Sequence, residues 1–556
     1  MVVLSVNQPR NTYLLWKRFS YPTDHGPQDA FSVPTWVANQ LNSAYAIIVS
    51  MLMVEVWIII TAFVLFFFLK WQMRQSKGNT LHPVVPILWN NRGALDGSFM
   101  ELSKYIKREN ARPWVFVLLL LVLAAWVAQA AVSIVVPPLI ILSNAAPVNP
   151  DTVYFASKDQ PTNAKLTAAF ALEVPVALRA AGNIESSSDL DKRVAVDSEN
   201  LGNDSDGNQI LRTNYSYNVT GVDFGLQKYP DLKLYVTGSC TTDYGRLRKR
   251  GRVVVNHSDS SVDIYAVDTY DTDGELLKIS LLYNGPPPIA YFFPGALTKG
   301  TLEGSNTTWS AIISSVNRTS FSPSNDPWYL TQEWLGLSMG AAYMVTPHRP
   351  VLSCWEENIW SYKGRNSTGL ALNTDYLPGL ELSNGVQKIF NSFASRNLSM
   401  IAHMGQHLGS FALQSGLTSQ SSVDGDTIFD AGSSSIQRDL QRIARIAFIA
   451  TCSILTDSTL YPADAYSQAD NAITSQDNAR DFVVRSPNVS ALSLKVIIAL
   501  PSALLGSWLF VAVLLFATPV RLVRGLDSSS MFTFIQAQLP GFNPADYKAN
   551  RISWQT

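Results

Sequence analysis

Three long apolar stretches constrain this 556-residue chain more than any other feature. Ala46–Leu69 runs for 24 residues with one charge, Glu55, and Trp114–Val136 runs for 23 with none. Ser493–Ala517 runs for 25, with Lys495 at its edge. About 20 apolar residues rising 1.5 Å each cross a hydrocarbon core of about 30 Å, so each stretch is long enough to span. Buried helices of soluble proteins rarely sustain such runs. Trp71 and Trp114 mark the same end of the first two stretches, where interfacial tryptophans sit. The expected fold class is an integral membrane protein, three transmembrane α-helices with a large α+β ectodomain between spans two and three. Met1–Arg10 lacks the apolar core of a cleavable signal, so span one is expected to act as its own signal-anchor.

Composition narrows the function classes. Charged residues make up 15 % of the chain and apolar residues 47 %, where soluble domains carry roughly 25 % charge. With 42 basic and 43 acidic side chains the net charge is −1, which excludes a disordered chain and a globally basic nucleic-acid binder. Three cysteines exclude a disulfide-built miniprotein and a cysteine-rich zinc module.

Charge and glycosylation sequons predict the orientation independently. The segment Lys70–Pro113 has eight Lys/Arg against three acids, the tail Thr518–Thr556 has four against two, and Pro27–Tyr45 has none. By the positive-inside rule this makes 1–45 an outer arm, 46–69 span one, 70–113 a cytosolic basic loop and 114–136 span two. Residues 137–492 are then a glycosylated ectodomain, 493–517 span three and 518–556 a cytosolic tail. The central segment carries 26 basic and 35 acidic residues and all nine Asn-x-Ser/Thr sequons: Asn203, Asn214, Asn218, Asn256, Asn306, Asn317, Asn366, Asn397 and Asn488. The expected location is the plasma membrane, reached through the secretory pathway. The expected partners are the lipid bilayer, a glycan or protein ligand on the ectodomain, and further copies of the chain through the spans; no nucleic acid is expected.

Within the ectodomain, residues 214–293 read as β-rich. Val262–Tyr270 and Glu275–Tyr283 flank Asp271-Thr272-Asp273-Gly274 as a hairpin, and Leu232–Thr237 and Arg252–Val255 read as further strands. Residues 327–485 read as helical, with candidates at Trp328–Val345, Asn384–Gln414, Ser435–Leu455 and Asp464–Arg485. Asp189–Gln209 reads as an acidic loop. All three cysteines, Cys240, Cys354 and Cys452, lie in the ectodomain, and Cys240–Cys354 is the favoured pair. Cys452 falls off the apolar stripe Ile436, Leu440, Ile443, Ala447 and Ile454, so it reads as more than core filling.

The motifs that could carry chemistry are few. Gly336-Leu337-Ser338-Met339-Gly340 has the spacing of a nucleophile elbow, with His348, His403 and His407 downstream, yet no apolar strand precedes it. Helix packing by small residues is the preferred explanation. His403 and His407 are four apart, a spacing that suits a metal, but Met404 stands where a hydrolytic site needs glutamate and two partly exposed histidines are expected. No metal and no cofactor are expected. Trp328, Trp334, Trp355 and Trp360, interleaved with Glu333, Glu356 and Glu357, could form a glycan platform, although such residues more often build a core. Lys192-Arg193 and Lys249-Arg250 are dibasic pairs in expected loops, and cleavage is expected after Arg250.

In the spans, Glu55, Gln129 and Ser502 fall at similar depth and read as helix contacts, aided by Ala124/Ala128, Ala499/Ala503 and Ser502/Gly506. Ser98–Asn110 is expected as an amphipathic helix at the inner leaflet, with Phe99, Leu102 and Ile106 on its apolar face.

The string Cys354-Trp355-Glu356-Glu357-Asn358-Ile359-Trp360-Ser361-Tyr362-Lys363-Gly364, set in this layout of spans, resembles uncharacterised multi-spanning membrane glycoproteins of filamentous fungi. The resemblance implies a source and a location, and no activity. The expected function is a non-enzymatic sensor or wall- or partner-binding module. The alternatives are an ectodomain hydrolase using Ser338 or the carboxylates near Trp355, and a subunit of a transport complex using Glu55.

Overall fold

All three apolar stretches fold as continuous helices. The computed structural model describes residues 8–75, 84–108, 113–156, 162–185, 189–256, 258, 262–271, 276–282, 288–294, 306–315, 318–334, 342–346, 350–368, 383, 386, 389–390, 399–417, 420–421, 427–460, 469–471 and 481–517. They divide into two compact units: residues 29–143 with 490–556, and residues 1–28 with 144–489.

The first unit is helical. Helices α1 (Thr35–Gln75), α2 (Val84–Asn90), α3 (Leu95–Arg108) and α4 (Pro113–Val135) are joined by a C-terminal helix, Leu494–Ala517. Three segments, Thr35–Leu65, Pro113–Ile140 and Leu494–Val513, are long and apolar enough to cross a membrane. Their large side chains point outward: Leu120 is 63 % exposed and Leu509 70 %. Apolar surface of that extent is tolerated where the surroundings are themselves apolar, so the three helices suggest membrane association.

Between these apolar helices the Gln129 amide donates to Ser50 Oγ at 3.2 Å, and the Tyr45 hydroxyl donates to the Ile497 carbonyl at 2.8 Å. Ala124, Ala128, Ala499, Ala503, Ser502 and Gly506 all face outward, so these small residues do not pack the spans together within one chain. Glu55 is half-buried. The apolar face of α3 is covered by protein: Leu102 is fully buried and Phe99 stacks on Trp126 at 6.4 Å. A short strand, Val489–Ser493, runs between Gln28–Pro34 and Ile141–Ser143.

The second unit is a β-rich middle domain. Its main strands are β1 (Val194–Asn203), β2 (Gln209–Thr220), β3 (Lys233–Asp243), β4 (Leu247–Asn256), β5 (Val262–Asp271), β6 (Leu276–Leu282), β7 (Ile289–Pro294), β8 (Asn306–Ser314), β9 (Val351–Tyr362) and β10 (Arg365–Thr368). A seven-stranded antiparallel sheet has the order β7-β8-β9-β3-β2-β1, with β10 added to the far end of β9. A smaller antiparallel sheet, β6-β5-β4, contains the expected hairpin; its turn, 272–275, lies outside the described residues.

Helices α5 (Thr162–Asn183), α6 (Met400–Leu408) and α7 (Ile436–Asp457) complete this unit. α7 starts at Ser435, whose hydroxyl accepts from the Arg438 amide at 3.2 Å, an N-cap that satisfies one orphan donor. From Ala444 to Leu455 only Arg445 is not buried, because α7 packs against β1 and β2 as well as α5 and α6. Tyr217 meets Phe448 edge-on at 6.0 Å. Tyr270 and Ile279 of the β4–β5–β6 sheet join Ile312 of β8 and Val351 of β9 in a separate small core.

Several expectations are corrected. The helical reading of 327–485 holds for α7 and for α6, but β9 is the longest strand there. Within Trp328–Val345 the described residues form a turn and two short strands, Thr331–Glu333 and Tyr343–Val345. Within Asp464–Arg485 they form strands Ala469–Asn471 and Val483–Arg485. The expected acidic loop Asp189–Gln209 is largely strand β1, whose outward side chains are polar because that face meets solvent. The described part of the N-terminal arm, for which no packing was expected either way, joins this unit: Tyr13 pairs with Val148 and enters its main core.

Candidate functional site

Alternation along β9 divides its side chains between two environments. Leu352, Cys354, Glu356 and Trp360 point into the core, whereas Trp355 points out and is 38 % exposed. In register with it, Ser239 on β3 and Asn214 on β2 lie on the same outer face. With Arg212 and Thr241 these residues line a shallow cavity of about 380 Å³. An indole face beside an arginine, hydroxyls and an amide can stack on a ring and hydrogen-bond its edge.

On the inner face, Tyr215, Gly238 and Glu356 are aligned across three adjacent strands. A Cβ at Gly238 would sit 2.2 Å from the Tyr215 ring, so the glycine lets the phenol cross the middle strand. The Tyr215 hydroxyl donates to Glu356 Oε2 at 2.8 Å, the Ser399 hydroxyl at 2.6 Å, and the Asn358 amide reaches Oε1 at 3.1 Å. Trp309 Nε1 donates to the Tyr215 oxygen at 3.0 Å. Burial raises the Glu356 pKa while its hydrogen bonds oppose the shift. Next along the same face, Cys240 and Cys354 stand directly opposite each other on β3 and β9 and form a disulfide.

A second buried carboxylate, Asp439 on α7, accepts from the Tyr329 hydroxyl, the Ser415 amide at 2.9 Å and the Ser415 hydroxyl at 3.1 Å. Desolvation pushes it up to about 6. Asp326 accepts from the amides of Ile436 at 2.9 Å and Trp328 at 3.0 Å, tying a loop to the start of α7. Desolvation pushes it up to about 7.

Where α5 meets α6, three titratable side chains converge. His407 Nε2 lies 3.1 Å and His403 Nε2 3.4 Å from the same atom, Glu173 Oε2. The two imidazoles stand nearly perpendicular with centroids 4.8 Å apart. Glu173 and His403 are each 5 % exposed, and the His407 side chain 9 %. The helix reaches this position because residue 405 is glycine, where a Cβ would sit 2.4 Å from the Phe292 ring on β7.

A family model described as a domain of unknown function, DUF8406, matches residues 174–484. The chain belongs to this family. No curated protein and no solved structure matches it. The DUF8406 match contains the whole seven-stranded sheet, α6 and α7.

Within the DUF8406 domain the residues singled out from sequence go to different places. Ser338 and His348 lie outside the described residues, so no nucleophile and base are brought together among those described. Both histidines were expected to be partly exposed; His403 is instead buried, while His407 is of intermediate burial, and both lie beside Glu173. The platform of four tryptophans does not form. Trp328 and Trp360 are each 2 % exposed, the first donating to the Pro350 carbonyl at 3.2 Å and the second stacked on Phe224 at 5.8 Å. Trp334 is half-buried beside strand Thr331–Glu333, and Trp355 alone of the four is exposed.

Neither dibasic pair lies in a loop. Arg193 ends a helical turn, is ion-paired to buried Asp223 and covers the Phe448 ring at 5.2 Å. Arg250 lies inside β4, opposite Asp268. Cys452 is a free thiol inside the core, where burial raises its pKa well above that of an exposed thiol; its off-stripe position is inside because α7 is covered nearly all round. Of the sequon asparagines, Asn203, Asn214, Asn218, Asn256, Asn366 and Asn488 are exposed. Asn317, Asn397 and the Asn306 side chain lie outside the described residues.

Sequence reasoning missed Glu173. Its signal was a lone acid within the apolar run Ala168–Leu178, an unsuitable place for a carboxylate that has no polar partner.

Proposed function

We propose that this chain is a membrane-anchored glycoprotein whose DUF8406 domain faces the outside or lumen and works as a non-enzymatic sensor or partner-binding module. The observation that carries the reading is the seat of the N-terminal arm. Leu14 donates its amide to the Pro147 carbonyl at 2.9 Å, Asn149 Nδ2 donates to the Asn11 carbonyl at 2.7 Å, and Tyr13 is 5 % exposed in the main core. The arm precedes span one and the domain follows span two. Segments that fold into one core lie on one side of the bilayer, so two crossings separate them and the third sends the tail to the other side.

Three further facts support this orientation. The basic loop and tail fit the cytosolic side. The six described sequon asparagines are all exposed, as an acceptor for a bulky glycan must be. The Cys240–Cys354 disulfide suits the oxidising lumen and the plasma membrane it leads to.

The ligand surface is the outer face around Trp355, and its chemistry suits a sugar ring or an aromatic-rich peptide. Peptide-N-glycosidase treatment of protein made in a eukaryotic host collapses a slow, diffuse band to the mass of the bare chain, and mass spectrometry finds Asn218 and Asn366 occupied, with Asn214 left bare in the Trp355 cavity. A chain with Asn218 and Asn366 bare would overturn the orientation. Trp355→Ala lowers retention on insoluble cell-wall polysaccharide at least about threefold with the melting temperature unchanged; equal retention would remove that face from the reading.

A further inference from the structure

We propose that Glu173, His403 and His407 form a divalent-metal site of the zinc class inside the β-rich unit, with Glu173 Oε2 and the two Nε2 atoms as ligands. In a tetrahedral site with bonds of about 2.0–2.1 Å, neighbouring donor atoms lie about 3.3 Å apart. The two separations from Glu173 Oε2 are 3.1 and 3.4 Å, and all three donor atoms lie within 4.8 Å of one another. A metal-free triad, with both rings donating to one carboxylate oxygen, is the competing explanation. It fits the 3.1 Å contact, but 3.4 Å is beyond the usual N–H···O distance, whereas both values bracket a tetrahedral edge.

Local structure builds the set in two steps. Residues four apart on α6 share one face, which directs both imidazoles toward α5. Gly405, between them, lets α6 settle on Phe292 and brings the histidines within reach of Glu173. Two imidazoles and one carboxylate suit zinc, cobalt or nickel, whereas magnesium and calcium take oxygen ligands. Three protein donors leave a fourth position for water.

The role is not hydrolytic. Met404, 2 % exposed, stands where a hydrolytic His-Glu-x-x-His helix carries its general base, and a thioether holds no proton. The bound ion instead cross-links α5 to α6, joining a helix that precedes the seven-stranded sheet to one that follows it.

The test uses the full-length chain in detergent, stripped with EDTA and desalted. Zinc chloride alone restores one equivalent per chain by elemental analysis and raises the melting temperature, and magnesium chloride does neither. Cobalt chloride gives the intense visible bands of a four-coordinate ion. Glu173→Gln and the double variant His403→Ala/His407→Ala lose the equivalent, while Trp355→Ala keeps it. A folded wild-type chain that takes up no zinc, or zinc retained by both variants, overturns the proposal. If a variant fails to fold, the wild-type cobalt spectrum decides, weak six-coordinate bands or none counting against it. The result is independent of membrane orientation, so this site and the proposed function fail separately.

Discussion

Buried carboxyl groups set how this domain responds to pH. Desolvation pushes Asp326 from an ordinary 3.8 up to about 7, and Asp439 and Asp457 up to about 6, with Arg179 holding Asp457 down against its burial. A folded-state pKa above the unfolded value favours the protonated fold, so the associated stability is full below about pH 4 and is lost as pH rises through about 6 to 7. The melting temperature of the detergent-solubilised chain is therefore expected to be higher at pH 5 than at pH 8. Asp326→Asn flattens part of that slope, so wild-type minus variant melting temperature falls as pH rises from 5 to 8; a difference that grows with pH would contradict the assignment. Glu356 supplies a second residue-scale prediction. Glu356→Ala leaves the Tyr215 and Ser399 hydroxyls without their acceptor and lowers unfolding free energy by about 3 kcal/mol in a urea titration. Glu356→Gln keeps an acceptor oxygen and lowers it less. None of these roles was legible in the sequence, because a buried and an exposed carboxylate are written with the same letter.

At the scale of elements, legibility followed the strength of periodicity. The apolar helices, the β5–β6 hairpin and α7 each repeat one signal over many residues, and all but the first helix lie within a few residues of their expected bounds; α1 starts at Thr35, well before Ala46, because its amphipathic first turns carry no long apolar run. β9 was missed. Its inward positions carry Cys354, Glu356 and Asn358, so the period-two apolar signal is broken by the polar cluster the strand positions. The same string, Cys354 to Gly364, was singled out as an anchor but not as a strand. Around α6 the reverse occurred: Gly405 reads as a helix weakener, yet contact with Phe292 requires it. Gly405→Ala is expected to lower stability by about 2 kcal/mol, although alanine is the better helix former, because the added methyl overlaps the Phe292 ring. A more stable Gly405→Ala protein in thermal melts would disprove that packing. Removing the β3–β9 cross-link by Cys240→Ala/Cys354→Ala, which frees a loop of 114 residues, is expected to cost about 3 kcal/mol by the same assay.

For the whole molecule, hydropathy was enough to set out three long apolar helices and the large β-rich domain between the second and third, since it is a sum over many residues and survives local errors. It did not show that residues 8–28 belong to the β-rich unit, because an eight-residue contact such as Gln8–Leu15 has no periodic signature. That contact makes the orientation testable without knowing the ligand. The most direct measurement is protease protection on intact cells expressing the chain with one epitope at each terminus. The account predicts that added protease removes the N-terminal epitope and cuts the DUF8406 domain, while the C-terminal epitope survives on a fragment holding the last span until detergent is added. A shielded N-terminus with an accessible C-terminus, or termini digested together, would contradict it.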